Sequence, residues 1–411
     1  MSNLSILVGK AAFQLTKLKG SGGSAFPGLV VEKTDRNFVN KVLSKLPYGV
    51  CVVSGTNGKT TTTKIVTELF EKQGLKVFTN KTGSNFVRGV ISAILEKISI
   101  TGKFDYDIAV LELDEAYSVK FSEVAPVDYA LLLNVQRDQL DRFGEIDYTA
   151  ELLQKLASKV KKTVVLNRED PRVSKITGKN VSFFGLSEEM VSSFPSDDCL
   201  LAKGDARVSE AQAKVIFESL DGNNAVYSSD GKSCGCSLTL KGNYNAYNAA
   251  AAIALCMNVL PDVPFEKFVS DLSDIRSAFG RGEDFEINGK SVELLLVKNP
   301  SAFQLSLTSF ADKNYDYMIC INDRDADGRD VSWLWNVDFS MLPEVDYVSG
   351  IRATDMALRL KYDGINVRNV NENLAEALDG FTKSGDKPKR IFSTYTSMLE
   401  LRKIILGKSL I

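Results

Sequence analysis

Ser54-Gly55-Thr56-Asn57-Gly58-Lys59-Thr60 follows the apolar run Val50-Cys51-Val52-Val53 and opens a segment, Thr60 to Gln73, whose apolar residues recur at Ile65, Val66, Leu69 and Phe70 before Gly74. Buried strand, glycine loop and glycine-capped helix, in that order, form the context a phosphate-binding loop requires. Glycines let the backbone approach an anion, and successive N–H groups at the helix N-terminus hold it. Lys59 would reach the β and γ phosphates, and the Thr60 hydroxyl would meet Mg²⁺. The general pattern carries a glycine five places before Gly58, where this chain has Val53, so the loop is the shorter variant. Gly55, Thr56, Asn57, Gly58, Lys59, Thr60 and Thr61 are its predicted nucleotide contacts.

Outward from the loop, Lys76 to Thr79, Ile108 to Leu113, Tyr129 to Asn134 and Thr163 to Leu166 are near-continuous apolar runs, as buried parallel strands are. Their alternation with helical segments is the pattern of an α/β, doubly wound, mostly parallel sheet. Ser-, Asp- and Gly-rich sequence from about 185 to 237 interrupts it as an insertion, followed by an Ala-rich helix from Asn245 to Leu255. A second, smaller α/β unit begins near Val292, with strands at Glu293 to Val297, Tyr317 to Ile321, Tyr347-Val348 and Arg390 to Ser393, and a last helix from Ser397 to Ile405. The expected division is a nucleotide-binding domain over 1–284 and a C-terminal domain over 285–411, with the linker near Gly280 to Gly289.

A second metal ligand is expected at the end of a neighbouring strand, where Leu111-Glu112-Leu113-Asp114-Glu115 offers Glu112 and Asp114. Oxygen ligands beside phosphates select Mg²⁺, and a solvated strand edge is the plainer alternative for these carboxylates.

Composition sets limits on the rest. The 411 residues contain 50 Lys or Arg, 52 Asp or Glu and no histidine, for a net charge of −2. A Ser-His-Asp triad, a Cys-His dyad and a histidine zinc site are therefore impossible within the chain. Near-balanced charge gives no reason to expect nucleic-acid binding. Cys51, Cys199, Cys234, Cys236, Cys256 and Cys320 lie mostly in apolar runs, which fits a reducing compartment. Leu4 to Leu18 is apolar but interrupted by Lys10, Gln14 and Lys17. It is too short and polar to span a bilayer, so no transmembrane segment is expected. An amphipathic helix docked on the body is the plainer reading of that stretch, and a membrane-surface role the alternative.

With these residues in view, the loop resembles that of the Mur ligases and folylpolyglutamate synthases, which join an amine to a carboxylate through an acyl phosphate. Asn134-Val-Gln-Arg-Asp138-Gln139-Leu-Asp141 is similar to their Asn-x-x-x-Asp-His-x-Asp, and Asn167-Arg-Glu-Asp170-Pro171 to their Asn-Ala-Asp-Asp. Gly242-Asn-Tyr-Asn245-Ala-Tyr-Asn248 resembles the adenine motif Gly-x-His-Asn-x-x-Asn, and Gly280-Arg281-Gly-Glu283 the arginine motif closing the central domain. Val297-Lys298-Asn299-Pro300, Ile321-Asn322-Asp323, Asp327-Gly328-Arg329-Asp330-Val331-Ser332-Trp333 and Thr394-Tyr-Thr-Ser-Met398 resemble the MurT family, the ligase-like subunits of lipid II isoglutaminyl synthase.

That resemblance implies ATP and Mg²⁺ as cofactors. Lys59 and Thr60 would serve phosphate and Mg²⁺, Glu112 Mg²⁺, Asn245 and Asn248 adenine, and Arg281 and Lys298 the nucleotide from two sides of a hinge. It further implies a cytoplasmic enzyme at the inner face of the membrane, amidating D-glutamate of lipid II. The partner would be a class I, GatD-like glutamine amidotransferase forming a heterodimer and bearing the Cys and His this chain cannot supply. An aspartate of this chain would orient that histidine, Asp330 first and Asp327 second, although either could simply cap the turn before Ser332. Gln139 and Tyr244 stand where the wider family has histidines, which puts a second metal in doubt, and Lys155 is only loosely placed as a carbamylated lysine. Three cysteines in the zinc-ribbon region, Cys199, Cys234 and Cys236, are too few for a thiolate site, so zinc is not expected. A stand-alone amino-acid ligase and a nonenzymatic nucleotide-binding scaffold are the alternatives.

Overall fold

Strand β1 (Gly49–Ser54) is an interior strand, third in order, of the larger of two sheets. The computed structural model describes residues 3–18, 25–80, 86–137, 146–194, 210–276 and 281–407. Among these, β2 (Val77–Thr79), β3 (Ile108–Glu112), β4 (Tyr129–Leu132), β5 (Thr163–Asn167), β6 (Val181–Leu186), β7 (Val215–Asp221), β8 (Asn224–Ser229) and β9 (Lys232–Ser237) complete that sheet. Its order is β2-β3-β1-β4-β5-β6-β7-β8-β9, parallel as far as β7 and antiparallel beyond. Because β1 pairs with β3 on one side and β4 on the other, the order reverses at its carboxyl end, where open α/β sheets bind ligands.

Both faces of β1 are buried, which is why its sequence is unbroken apolar rather than alternating. Cys51 and Val53 enter one core with Ile65, Leu69 and the helix Asn243–Val259. Val50 and Val52 enter the other with Phe38, Ile91 and Leu95. The Ser- and Gly-rich stretch expected as an insertion supplies the antiparallel edge β7 to β9, with 195–209 outside the described residues.

The second sheet has the order β10-β11-β15-β12-β13-β14. Its strands are β10 (Arg281–Ile287), β11 (Lys290–Leu296), β12 (Asp316–Cys320), β13 (Val345–Ser349), β14 (Val367–Asn371) and β15 (Lys389–Ser393). All its pairings are parallel except β10 with β11. The segment expected as a linker, Gly280 to Gly289, is thus mostly an edge strand. Phe285 and Ile287 alternate along it, and Asn288 and Gly289, at φ 52° and 72°, turn it back into β11. An Asn-Gly pair between alternating apolar residues is a hairpin signal rather than a linker signal.

At the N-terminus, the helix Asn3–Leu18 packs against the helices Ala25–Thr34 and Val87–Lys97. Among the described residues no helix is long and apolar enough to cross a membrane.

Candidate active site

The loop after β1 is shaped by two glycines with positive φ, Gly55 at 125° and Gly58 at 89°. A Cβ on Gly58 would stand 2.5 Å from Asn248 Oδ1 and one on Gly55 2.9 Å from the Asn134 backbone, so neither position has room for a side chain. Gly58 is also the N-cap of the helix Lys59–Lys72 and leaves its first turn without a side-chain cap. Such uncapped N–H groups suit a phosphate.

The loop is braced from β4. Asn134 accepts the Asn57 N–H at 2.8 Å and donates to the Asn57 carbonyl at 3.0 Å, while Thr56 N–H donates to the Asn134 carbonyl at 2.9 Å. Lys59 curls over the loop, its ammonium on the Gly55 and Thr56 carbonyls at 2.5 and 3.3 Å and 3.7 Å from the buried Glu115 carboxylate. The Thr60 hydroxyl donates to Glu112 Oε1 at 2.9 Å. Glu112 ends β3, buried, with its backbone clamped by Asn80: its N–H donates to Asn80 Oδ1 at 2.9 Å and its carbonyl accepts from Asn80 Nδ2 at 2.8 Å. A buried carboxylate and a hydroxyl beside a phosphate loop are the hard oxygen donors that Mg²⁺ prefers, so the residues present fit that ion. Asp114 instead caps the next helix by accepting from Ala116 N–H at 3.2 Å.

The helix Asn243–Val259 brings the next contacts. Asn245 is buried, and its amide donates to the Lys241 carbonyl at 2.8 Å while Oδ1 has no hydrogen-bond partner. An acceptor orphaned in this way is costly unless a ligand donor satisfies it, as an adenine amino group would. Tyr247 donates to Asn167 Oδ1 at 2.5 Å, and Asn167 donates to the Leu133 carbonyl at 2.8 Å, tying this helix to the ends of β4 and β5. Asp170 accepts three backbone N–H groups, from Val135, Arg172 and Val173, and burial still pushes its carboxyl above the usual range. Asp170 therefore supports the loops rather than facing a ligand.

The second sheet reaches the loop through the residues after β11. Lys298 Nζ donates to the Thr56 carbonyl at 2.9 Å. Asn299 and Asn57 exchange amide hydrogen bonds at 3.0 and 3.2 Å, while Asn299 Oδ1 also caps the helix Pro300–Phe310 through Ala302 N–H at 2.9 Å. Tyr244 packs edge-on to Phe310 of that helix, with ring centroids 6.3 Å apart. Lys241 bridges Asp284 and Glu293, and Glu293 accepts from Arg390 at 2.7 Å. Both sheets therefore converge on Thr56 and Asn57. Thr61 is buried in the first helical turn, and β10 begins at Arg281, whose side chain is not among the described ones. Lys155 lies elsewhere, exposed and 4.0 Å from Glu151. Asp138, Gln139 and Asp141 fall outside the described residues, as does Cys199.

Glu115, Asn80 and Asn299 were not singled out in the sequence. The signal available for all three was position: a polar residue within three places of the end of a strand that parallels β1, or of β11.

The two aspartates of the Asp-Gly-Arg-Asp run differ. Asp327 is buried and accepts from Thr396 N–H at 2.7 Å, the Thr396 hydroxyl at 2.5 Å and Arg324 N–H at 3.1 Å. Asp330 is exposed and accepts the Ser332 N–H at 2.8 Å, and the Ser332 hydroxyl and N–H hold its carboxyl below the usual range. Asp330 does cap the turn, yet it presents an ionised group at the surface. Burial pushes the Cys51, Cys256 and Cys320 thiols up, and that of Cys236 up to about 11, so none of the four is a ready nucleophile.

The sequence matches the Mur ligase middle domain over residues 53–256 and the MurT ligase C-terminal domain over 296–398. It is 30% identical to "Lipid II isoglutaminyl synthase (glutamine-hydrolyzing) subunit MurT" of Streptococcus pneumoniae, covering 100% of this chain and 98% of that protein. The protein of the same description from Staphylococcus aureus strain COL is 28% identical over 92% of this chain and 93% of its own. Among solved structures, MurF ligase of Thermotoga maritima in complex with ADP superposes with a TM-score of 0.69 at 18% identity, over 92% of this chain and 85% of that one.

Proposed function

Because the chain belongs to the MurT family of Mur ligase-type proteins, we propose that it is the synthase subunit of a lipid II isoglutaminyl synthase. It catalyses the ATP-dependent amidation of the α-carboxylate of D-glutamate in the lipid II stem peptide, with glutamine as the nitrogen source. One observation carries the reading furthest: Lys298 and Asn299, after β11, hydrogen-bond to Thr56 and Asn57 of the loop after β1, in a chain with no histidine. The ligase half can be complete here, whereas glutamine hydrolysis needs a thiolate and a histidine base.

A carboxylate is a poor electrophile because oxide would have to leave. ATP supplies the phosphoryl group that makes phosphate the leaving group, and Mg²⁺ supplies positive charge against the phosphates. The chain's own residues do the rest. The loop Gly55 to Thr61 takes the phosphates on the uncapped N–H groups at the start of the helix Lys59–Lys72, those of Thr56 and Asn57 being held by Asn134, and Lys59 stabilises charge on the transferring group. Thr60 and Glu112 would hold the Mg²⁺. Asn245 and Asn248 take the adenine end, with Arg281 and Lys298 closing from the second domain. Closure excludes water, which would hydrolyse the activated carboxyl. Ammonia then displaces phosphate, leaving the amide.

The ammonia comes from a partner, a class I, GatD-like glutaminase subunit carrying cysteine and histidine. Asp330, ionised and exposed, is the residue that orients the partner's histidine; Asp327 is committed to Thr396. The complex works at the cytoplasmic face of the membrane, where its lipid-linked substrate lies. Co-purification of the two subunits, followed by assay of phosphate release that requires both glutamine and lipid II, tests the proposal. Release dependent on an added amino acid and on no partner would make the chain a stand-alone ligase instead.

A further inference from the structure

We propose that the first two helices dock the protein on an anionic bilayer through their exposed apolar residues Leu7, Leu15 and Phe26. The proposal rests on the lipid-linked substrate assigned above, since a membrane-anchored substrate is reached most directly by an enzyme held at the same surface.

The helix Asn3–Leu18 is amphipathic in an unusual sense. On its inner face Ser5, Ile6, Gly9 and Ala12 are buried. Apolar residues also point out, with Leu7 48% and Leu15 57% exposed and Ala11 exposed between them. Spacing of i, i+4 and i+8 places these three on one side of the helix. Phe26, in the first turn of the helix Ala25–Thr34, is 52% exposed as well. An exposed apolar stripe on a helix that already has a buried face needs a second covering.

Charge names the covering. Residues 1–48 contain seven Lys or Arg against two Asp or Glu, a net +5 in a chain whose total is −2. Glu32 and Asp35 are engaged by Arg88 and Lys41, and Lys33, Arg36 and Lys45 are exposed. Exposed apolar residues in a 48-residue segment of net positive charge suit an anionic lipid surface.

The placement also suits access to the site. Gly9 packs on Leu95 in the last turns of the helix Val87–Lys97, whereas Gly28 packs on Arg88 at its start, where a Cβ would stand 2.2 Å from the Arg88 carbonyl. Gly28 thus lies nearer than Gly9 to the end of the molecule at which Asn80 and Glu112 close their strands, and Phe26 stands two residues from it on the same helix.

The test is co-sedimentation of the full chain, in complex with its partner, with phosphatidylcholine vesicles containing or lacking phosphatidylglycerol. Binding is expected only with the anionic lipid, weakening at about 1 M salt, where the Debye length shrinks to about 3 Å. The Leu7→Gln, Leu15→Gln, Phe26→Gln triple variant should lose vesicle affinity by at least about tenfold. It should retain partner binding and its rate on detergent-solubilised lipid II. Equal binding to neutral vesicles, unchanged affinity in the triple variant, or loss of the partner in place of the vesicle would overturn the proposal. Vesicle binding is read without turnover, so its failure is distinct from failure of the amidation reading.

Discussion

The Lys298 ammonium rests 2.9 Å from the Thr56 carbonyl, so a residue of the second sheet holds the backbone of the phosphate loop built on the first. Lys298→Ala removes this contact and the positive charge beside the loop. The expected result is a fall of about 10²-fold in kcat/KM for ATP, with thermal stability changed by less than about 1 kcal/mol, checked by steady-state kinetics beside calorimetry.

Glu112→Gln keeps the shape of the β3 end but removes its charge beside Thr60. Activity should drop by about 10²- to 10³-fold, and the Mg²⁺ concentration for half-maximal rate should rise. A metal titration of the wild type and the variant decides this. An unchanged Mg²⁺ dependence would remove Glu112 from the metal site.

Asn245 carries a buried oxygen that no protein group satisfies. Asn245→Ala is expected to raise the KM for ATP by about tenfold, in line with one lost hydrogen bond in a desolvated site, and to change kcat little. Isothermal titration with a nonhydrolysable ATP analogue measures the same loss without turnover.

Asp327 and Asp330 should separate cleanly. Asp330→Asn leaves the fold intact and ammonia-driven amidation near the wild-type rate, but lowers glutamine-driven amidation by about 10²-fold or more. Asp327→Asn, which puts a donor in place of one of two buried acceptor oxygens, costs about 1–3 kcal/mol of stability, visible as a lower Tm. The depressed Asp330 carboxyl also fixes a sign. A carboxylate whose folded pKa lies below its unfolded value loses its contribution only as pH falls through the folded value, so Asp330 imposes no acid limb on activity near neutrality.

Cys236 gives a test of the metal question. Burial lifts its thiol to about 11, so alkylation at neutral pH should be slow and should accelerate as the pH rises toward that value. Purified protein is expected to carry no stoichiometric zinc by elemental analysis. Stoichiometric zinc would show that Cys234 and Cys236 are held as thiolates.

Much of this was legible in the sequence because parallel strands announce themselves. Val50 to Val53 has no polar residue to alternate with, and the loop after it carries glycine where the backbone must take positive φ. What sequence spacing could not supply was proximity across strands. Glu115 meets Lys59, and Asn80 grips Glu112, only because β2, β3 and β1 lie side by side. Tyr244, noticed as a departure from a histidine, packs on Phe310 across the two sheets, a contact no local pattern encodes. The difference between Asp327 and Asp330 likewise depends on Thr396, distant in sequence but adjacent to Asp327 once β15 pairs with β12. The strand β10 was hidden by the glycines at its ends, which mark a hairpin as readily as a linker.

The central claim is that the ligase chemistry resides on this chain and the ammonia source on another. The most direct measurement is mass spectrometry of lipid II incubated with ATP, Mg²⁺ and the two-subunit complex, comparing glutamine with ammonium chloride as donor, for the wild type and for Lys59→Ala. The account predicts the amide from either donor with the wild type, and from neither with Lys59→Ala, although that variant still binds its partner and still releases ammonia from glutamine. Amidation by the Lys59→Ala complex would place the ligase site elsewhere, and glutamine hydrolysis by this chain alone would contradict the division of labour.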